Sequence, residues 1–300
     1  ASSEGLGRGS DDGRQACLRW FCTSAGGVRM RRNAFPRCPP IGIVSMNAKC
    51  LGVFSVTEDW PHSLPLGPDG LLIRFSDRLS DEANRAALAF HAALIADLPD
   101  GVVETATSLT SVFVRFRPDR VSRAELEAPL RTRLRNADWM EAPLPEGRRR
   151  WHLPVSFGGR DGPDLEDIAN AAGLDPQQAI TELCAAELRV LALGFAPGQP
   201  YLGFLPEHWN IPRRTEVTPQ VPRGAVVVAV RQVIPFANPA PTGWRQAGRT
   251  SFLCFDPPSE PALPLRAGDS VVFEPVDAGK LEKLIAVGAP YGGVEAEEIS

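Results

Sequence analysis

The sequence predicts an α+β fold, a small α/β domain followed by a mostly β domain closed as a barrel, and three observations carry that prediction. Strand and helix patterns alternate between residues 71 and 134. Ala142 to Arg150, with Pro143, Pro145, Gly147 and three successive arginines, reads as a linker. After Glu187 helical periodicity gives way to short β-branched runs separated by Pro- and Gly-rich loops, whose edges a barrel would hide. The expected division is a disordered or mis-started leader over 1–52, the α/β domain over 53–145, the barrel over 150–276 and a tail over 277–300.

Taken in order, Leu71, Leu72, Ile73 and Phe75 follow the turn signal Gly67-Pro68-Asp69-Gly70 and read as a strand. Ser80 offers a helix N-cap, Asp81 and Glu82 suit the positive end of the dipole, and Ala83, Ala87, Phe90, Leu94 and Leu98 recur on one face up to Pro99. Residues 101–107 and 111–116 are rich in β-branched side chains and read as paired strands. Ser122-Arg123-Ala124-Glu125 has capping-box spacing ahead of Leu126, Leu130 and Leu134, with Pro129 expected to kink that helix. Beyond the linker, Leu153 to Phe157 reads as a strand and Asp164 to Ala172 as a helix closed by Gly173. Asp175-Pro176-Gln177-Gln178 opens another helix with proline at its first position. Val190–Leu193, Ala225–Val230, Thr250–Phe255 and Ser270–Glu274 read as strands. From Asp277 a short helix (Leu281, Leu284, Ile285) fades into an acidic tail.

Composition narrows function. A formal net charge of −4 with a pI near 5.7 gives no reason to expect a nucleic-acid partner, since such proteins usually carry a basic face and a basic pI. No apolar run approaches a membrane span, since runs such as Ala225–Val230 end at a charge. The leader differs from the rest: it holds Cys17, Cys22, Cys38 and Cys50 and no acidic residue between Gly13 and Thr57, with Met30 and Met46 as alternative starts. Its cysteine spacings fit no common zinc pattern. Cys184 and Cys254 read as reduced core residues of a cytoplasmic protein.

Chemistry points to one stretch. Gly194 to Pro206 is almost half Gly and Pro, carries Phe195, Tyr201 and Phe204, and follows a strand directly, so it reads as a pre-shaped loop whose amides can approach a ligand, or as a rigid cover for a barrel end. Arg213 and Arg214 are either a solvated turn or a carboxylate or phosphate clamp. Gln232, Trp244, Arg245, Arg249 and Thr250 flank a second Pro-rich loop. Asp161 and Asp164 suit a turn and helix N-cap. No P-loop, H-E-x-x-H or G-x-S-x-G motif is present. The residues alone give an arginine-rimmed cleft without naming a reaction.

The string Leu193-Gly194-Phe195-Ala196-Pro197-Gly198 with Pro200-Tyr201-Leu202-Gly203, then Pro212-Arg213-Arg214, Val221-Pro222, Gly243-Trp244 and Gly248-Arg249-Thr250, resembles the family of allophanate hydrolase subunit 1, KipI and the PxpB component of 5-oxoprolinase. Pro154-Val155, Gly158-Gly159 and Gly162-Pro163-Asp164-Leu165 add to it, and the likeness runs from about Leu64 to Pro275. The resemblance implies a cyclophilin-like barrel as the second domain, a homologous barrel partner (subunit 2, PxpC) and a PxpA-type subunit. It also implies ATP as co-substrate, leaving room for Mg with it and giving no evidence for a bound biotin on this chain, and the opening of 5-oxo-L-proline to glutamate or a related allophanate or urea reaction. KipI-like members instead imply a regulator that inhibits a histidine kinase without turnover. Carried over as substrate and ATP-cleft candidates are Gly198, Tyr201, Arg213, Arg214, Gln232, Trp244, Arg249 and Thr250; none has an assigned catalytic step. The chain departs from the family where relatives commonly read G-G-Q-T-G-I-Y-P-F and it has Val230-Arg231-Gln232-Val233-Ile234-Pro235-Phe236.

Overall fold

The Gly67–Gly70 turn folds the chain back, so that β1 (His62–Leu66) pairs antiparallel with β2 (Gly70–Arg74) in a computed structural model that describes residues 60–299. The leader readings, with its four cysteines, lie outside the described residues. Helix α1 (Asp81–Ala96) starts where expected, the Ser80 hydroxyl accepting from the Ala83 amide at 3.2 Å. Strands β3 (Val102–Ser108) and β4 (Ser111–Phe116) form the predicted hairpin, and α2 (Arg123–Arg135) carries the capping box of Ser122 and Glu125. The sheet order is β1-β2-β4-β3. Both helices lay their apolar stripes on it, enclosing a core that includes Ile73, Phe75, Phe90, Leu94, Val114 and Leu130. Pro129 lies inside α2, which continues to Arg135.

A second core begins with β5 (Arg148–Phe157), α3 (Leu165–Ala172), α4 (Pro176–Ala185), β6 (Leu188–Leu193) and β7 (Pro200–Gly203). It continues through β8 (Thr218–Val221), β9 (Ala225–Ala229), β10 (Gln232–Pro235), β11 (Ala240–Thr242), β12 (Arg245–Thr250) and β13 (Ser270–Pro275). Helix α5 (Ala278–Val287) and β14 (Ala296–Ile299) complete the described chain. Seven strands close a barrel in the order β12-β9-β10-β7-β6-β13-β5, with β5 pairing back to β12. Alternation sends Leu153, Val155, Val190, Leu202, Val228, Val233 and Phe273 inward, where Ile168 of α3 and Leu183 of α4 join them. Opposite faces of β7, β9 and β10 carry a separate cluster on the outside of the barrel. It is formed by Ala225, Val227, Ala229, Ile234, Phe236 and Trp244, with Tyr201 packed against it.

Several sequence expectations need correction. The closing strand is Arg245–Thr250 and not Thr250–Phe255. Residues 251–255 have strand-like side chains, but Phe252 and Cys254 are drawn into the barrel core and the Phe252 amide bonds to the Thr250 hydroxyl at 3.1 Å. Gly248 explains why the less promising segment pairs: a Cβ there would lie 2.7 Å from the Ser156 carbonyl, so only glycine permits the β5–β12 approach. The three arginines of the linker reading open β5. The acidic tail supplies β14, which pairs with β5 and sets Glu297 on Arg150 at 3.0 Å.

The α/β layer is fixed to the barrel at α1. Asn84, 1% exposed, donates to the Leu109 carbonyl at 2.6 Å and to the Leu191 carbonyl of β6 at 3.0 Å. Asp81 pairs with Arg189 of β6 at 2.8 Å. A buried amide that satisfies two carbonyls from different elements is costly to displace.

Candidate functional site

The outer face of the barrel is built by register. Val233 stands opposite Leu202 and Val228, both inward. The outward neighbours are therefore Gln232 beside Gly203 and Ala229, and Ile234 beside Tyr201 and Val227. Gln232 is 6% exposed, and its amide nitrogen is buried with no hydrogen-bond partner. Tyr201 is half-buried; burial raises its pKa, against a smaller opposing pull from Arg213. The guanidinium of Arg213 lies 5.3 Å from the ring of Trp244, an arrangement that leaves its charge available to an anion.

The predicted residues divide. Tyr201, Arg213, Gln232 and Trp244 border this face. Arg214 belongs to an ion-pair cluster beside it, donating to Asp164 at 2.8 Å and Asp167 at 3.1 Å, while Arg245 donates to Asp167 at 2.6 Å. Arg213, Arg214 and Arg245 also line a shallow cavity of about 340 Å³. Gly198 has a packing role: at φ +72 it sits on the Cys254 carbonyl, 2.0 Å from where a Cβ would be. Arg249 and Thr250 stand at the far end of β12 from Trp244, in a different cleft of about 250 Å³. Arg223 lines that cleft too. Sequence reading passed it over, although a basic residue fixed between Pro222 and Gly224 was the available signal.

Other readings resolve locally. Asp164 precedes α3 but makes no side-chain cap bond there; it accepts from the Gln246 amide at 2.8 Å and from Arg214. Cys184 and Cys254 are free thiols, raised by burial to about 11 and about 12. Phe195 is 78% exposed. Among the described residues, no group of three or more His, Cys, Asp or Glu side chains could hold a metal ion, and no helix is long and apolar enough to cross a membrane.

A barrel closed by Gly248-Arg249-Thr250 and fronted by Tyr201, Gln232 and Trp244 defines a class. Residues 61–265 match the model of the carboxyltransferase domain, subdomain C and D, and the chain belongs to that family. Its relatives are more particular. It is 32% identical over 216 residues to the B subunit of 5-oxoprolinase from Bacillus subtilis, covering 69% of this chain and 90% of that protein. It is 36% identical over 187 residues to the protein of the same name from Escherichia coli O157:H7, covering 62% and 83%. Among solved structures, TTHA0988 superposes with a TM-score of 0.59 at 32% identity over 70% of this chain, which spans only 40% of that longer chain. The urea carboxylase of Kluyveromyces lactis shares the fold, with a TM-score of 0.61 at 17% identity over 79% of this chain and 24% of its own.

Proposed function

We propose that this chain is the B-type component of a heteromeric, ATP-dependent 5-oxoprolinase, acting with a homologous barrel subunit and a PxpA-type subunit to open a cyclic amide. The names of relatives at 32–36% identity support this. The observation that carries it on this molecule is the unpartnered amide nitrogen of Gln232 on the outer barrel face. A buried donor left unmatched costs free energy, and once the side chain turns outward a lactam would supply the missing acceptor in its carbonyl oxygen. The Gln232 carbonyl can in turn receive the ring N–H, so one carboxamide matches the donor and acceptor pair of a cyclic amide.

The residues around it fit the rest of the substrate. Tyr201 and Trp244 give apolar walls for a small ring, and Arg213 offers a cation to a carboxylate or to the phosphate of ATP. When bound, ATP supplies a phosphoryl group that can activate the amide oxygen. This chain's own contribution is to hold the ring, orient the carbonyl and balance negative charge as it develops. Mg, where it accompanies the nucleotide, would be carried chiefly by the phosphates, as is usual for that ion.

The test is turnover by the assembled complex. Co-expressed with a subunit 2 homologue and a PxpA-type subunit, the chain should co-purify and form ADP and glutamate in equal amounts from ATP and 5-oxoproline. A chain that binds a histidine kinase tightly and gives no turnover with either partner would make it a KipI-like regulator instead.

A further inference from the structure

The cleft at the far end of β12 has its own chemistry. Arg249 donates through Nε to the Arg223 carbonyl at 3.3 Å, and Arg223 donates through Nη2 to the Phe255 carbonyl. Two guanidinium groups are thereby held in one concavity. Among the described residues neither has a carboxylate at ion-pair distance, and the buried Nε of Arg223 has no partner. Asp256 feels the charge of Arg223 without forming an ion pair with it; its Oδ2 accepts from the Ser259 hydroxyl at 2.6 Å and the Tyr291 amide at 3.0 Å. Like charges gathered in a part-buried cleft repel one another, and an orphan N–H adds to the cost.

We infer that this cleft is a binding subsite for a small oxyanion, the phosphate or carboxylate group of a ligand, clamped between Arg223 and Arg249. An oxyanion would cancel the repulsion, and guanidinium forks match its geometry. Leu253 and, from the last turns of α5, Leu284 and Ile285 give the cleft an apolar wall, and its floor is set by close backbone approach. Gly292 would place a Cβ 1.9 Å from the Ser251 carbonyl, and Gly224 one 2.3 Å from the Thr250 carbonyl, so two loops close on the end of β12 without intervening side chains. With about 250 Å³, the cleft suits a single small anion or a five-membered ring acid and is too small for a whole nucleotide. The subsite does not depend on the face around Gln232, which lies at the other end of β12.

Calorimetric titration of the full chain with inorganic phosphate, and separately with 5-oxo-L-proline, tests it. Saturable binding of either is expected: phosphate alone makes this a phosphoryl subsite, 5-oxoproline alone a carboxylate subsite. Arg249→Gln and Arg223→Gln should each weaken binding at least about tenfold, whereas Arg131→Gln, on the exposed side of α2, should leave it unchanged. Where a glutamine variant does not fold, Arg249→Lys takes its place, and full affinity in it would overturn the clamp. Absence of saturable binding at millimolar anion, or equal weakening by Arg131→Gln, would also overturn it. No partner subunit is needed, so failed turnover in the complex and failed anion binding here are separate results.

Discussion

Arg245, at the start of β12, and Arg214, in the loop before β8, share Asp167, and Arg214 also holds Asp164, across contacts of 2.6 to 3.1 Å, whereas Arg249 at the other end of β12 and Arg223 beside it meet only backbone carbonyls among the described residues. The first pair is structural chemistry, since it ties α3 to β12. Its hydrogen bonds from Arg245 and Arg214 hold the Asp167 carboxyl below the usual carboxylate range. The stability it contributes is therefore present above about pH 4 and is lost as pH falls through the lowered pKa. The second pair has no ion-pair partner among the described residues, Asp256 acting on Arg223 only at longer range. Arginines adjacent in sequence thus differ in availability according to which acid the tertiary structure brings to them, and Arg213 and Arg214 show this between neighbouring residues.

The comparison can be broken most forcefully at Asp269. This carboxylate, 2% exposed, receives Arg149 Nη2 at 2.5 Å, Trp151 Nε1 at 3.2 Å and the Arg266 amide at 2.9 Å. Asp269→Ala should lower unfolding free energy by about 3–5 kcal/mol, because it leaves a largely buried guanidinium uncompensated. Urea denaturation reads it, and a loss below about 1 kcal/mol would show that paired arginines here are dispensable.

A smaller effect, of opposite sign, comes from Val230. Val230 and Arg231 turn β9 into β10 with φ of 45° and 63°, a conformation that two-residue hairpins require and that β-branched residues resist. Glycine meets that requirement without strain. Arg231 is nonetheless anchored, bonding to the Leu205 carbonyl at 2.8 Å and Glu207 at 2.7 Å. Val230→Gly should raise stability by about 1 kcal/mol in the same denaturation experiment; a loss of that size would mean the turn is unstrained.

Local chemistry made much of the fold legible. Ser80, Ser122 and Asp175 cap helices because hydroxyl and carboxylate oxygens match nearby amides within one turn of chain, and Gly173 ends α3 in the left-handed region. What escaped was decided at long range. Pro200–Gly203 reads as a shaped loop, yet β6 and β10 pair with it as β7. Ala296–Ile299 reads as an acidic tail, yet Arg150, 147 residues earlier, gives Glu297 its partner. Tyr201, Gln232 and Trp244 were readable through the family resemblance. The orphan nitrogen of Gln232 and the Arg223–Arg249 pair were not, because both depend on what the folded neighbours fail to supply.

Replacing Gln232 by leucine in the assembled complex addresses the amide-binding face most directly. Removing an unsatisfied buried donor should leave stability unchanged or raise it by about 1 kcal/mol. The same change should raise KM for 5-oxoproline at least about tenfold in coupled ADP release. Undiminished stability together with a raised KM is the expected result. An unchanged KM, with full turnover at low 5-oxoproline, would contradict the assignment of that face to the cyclic amide.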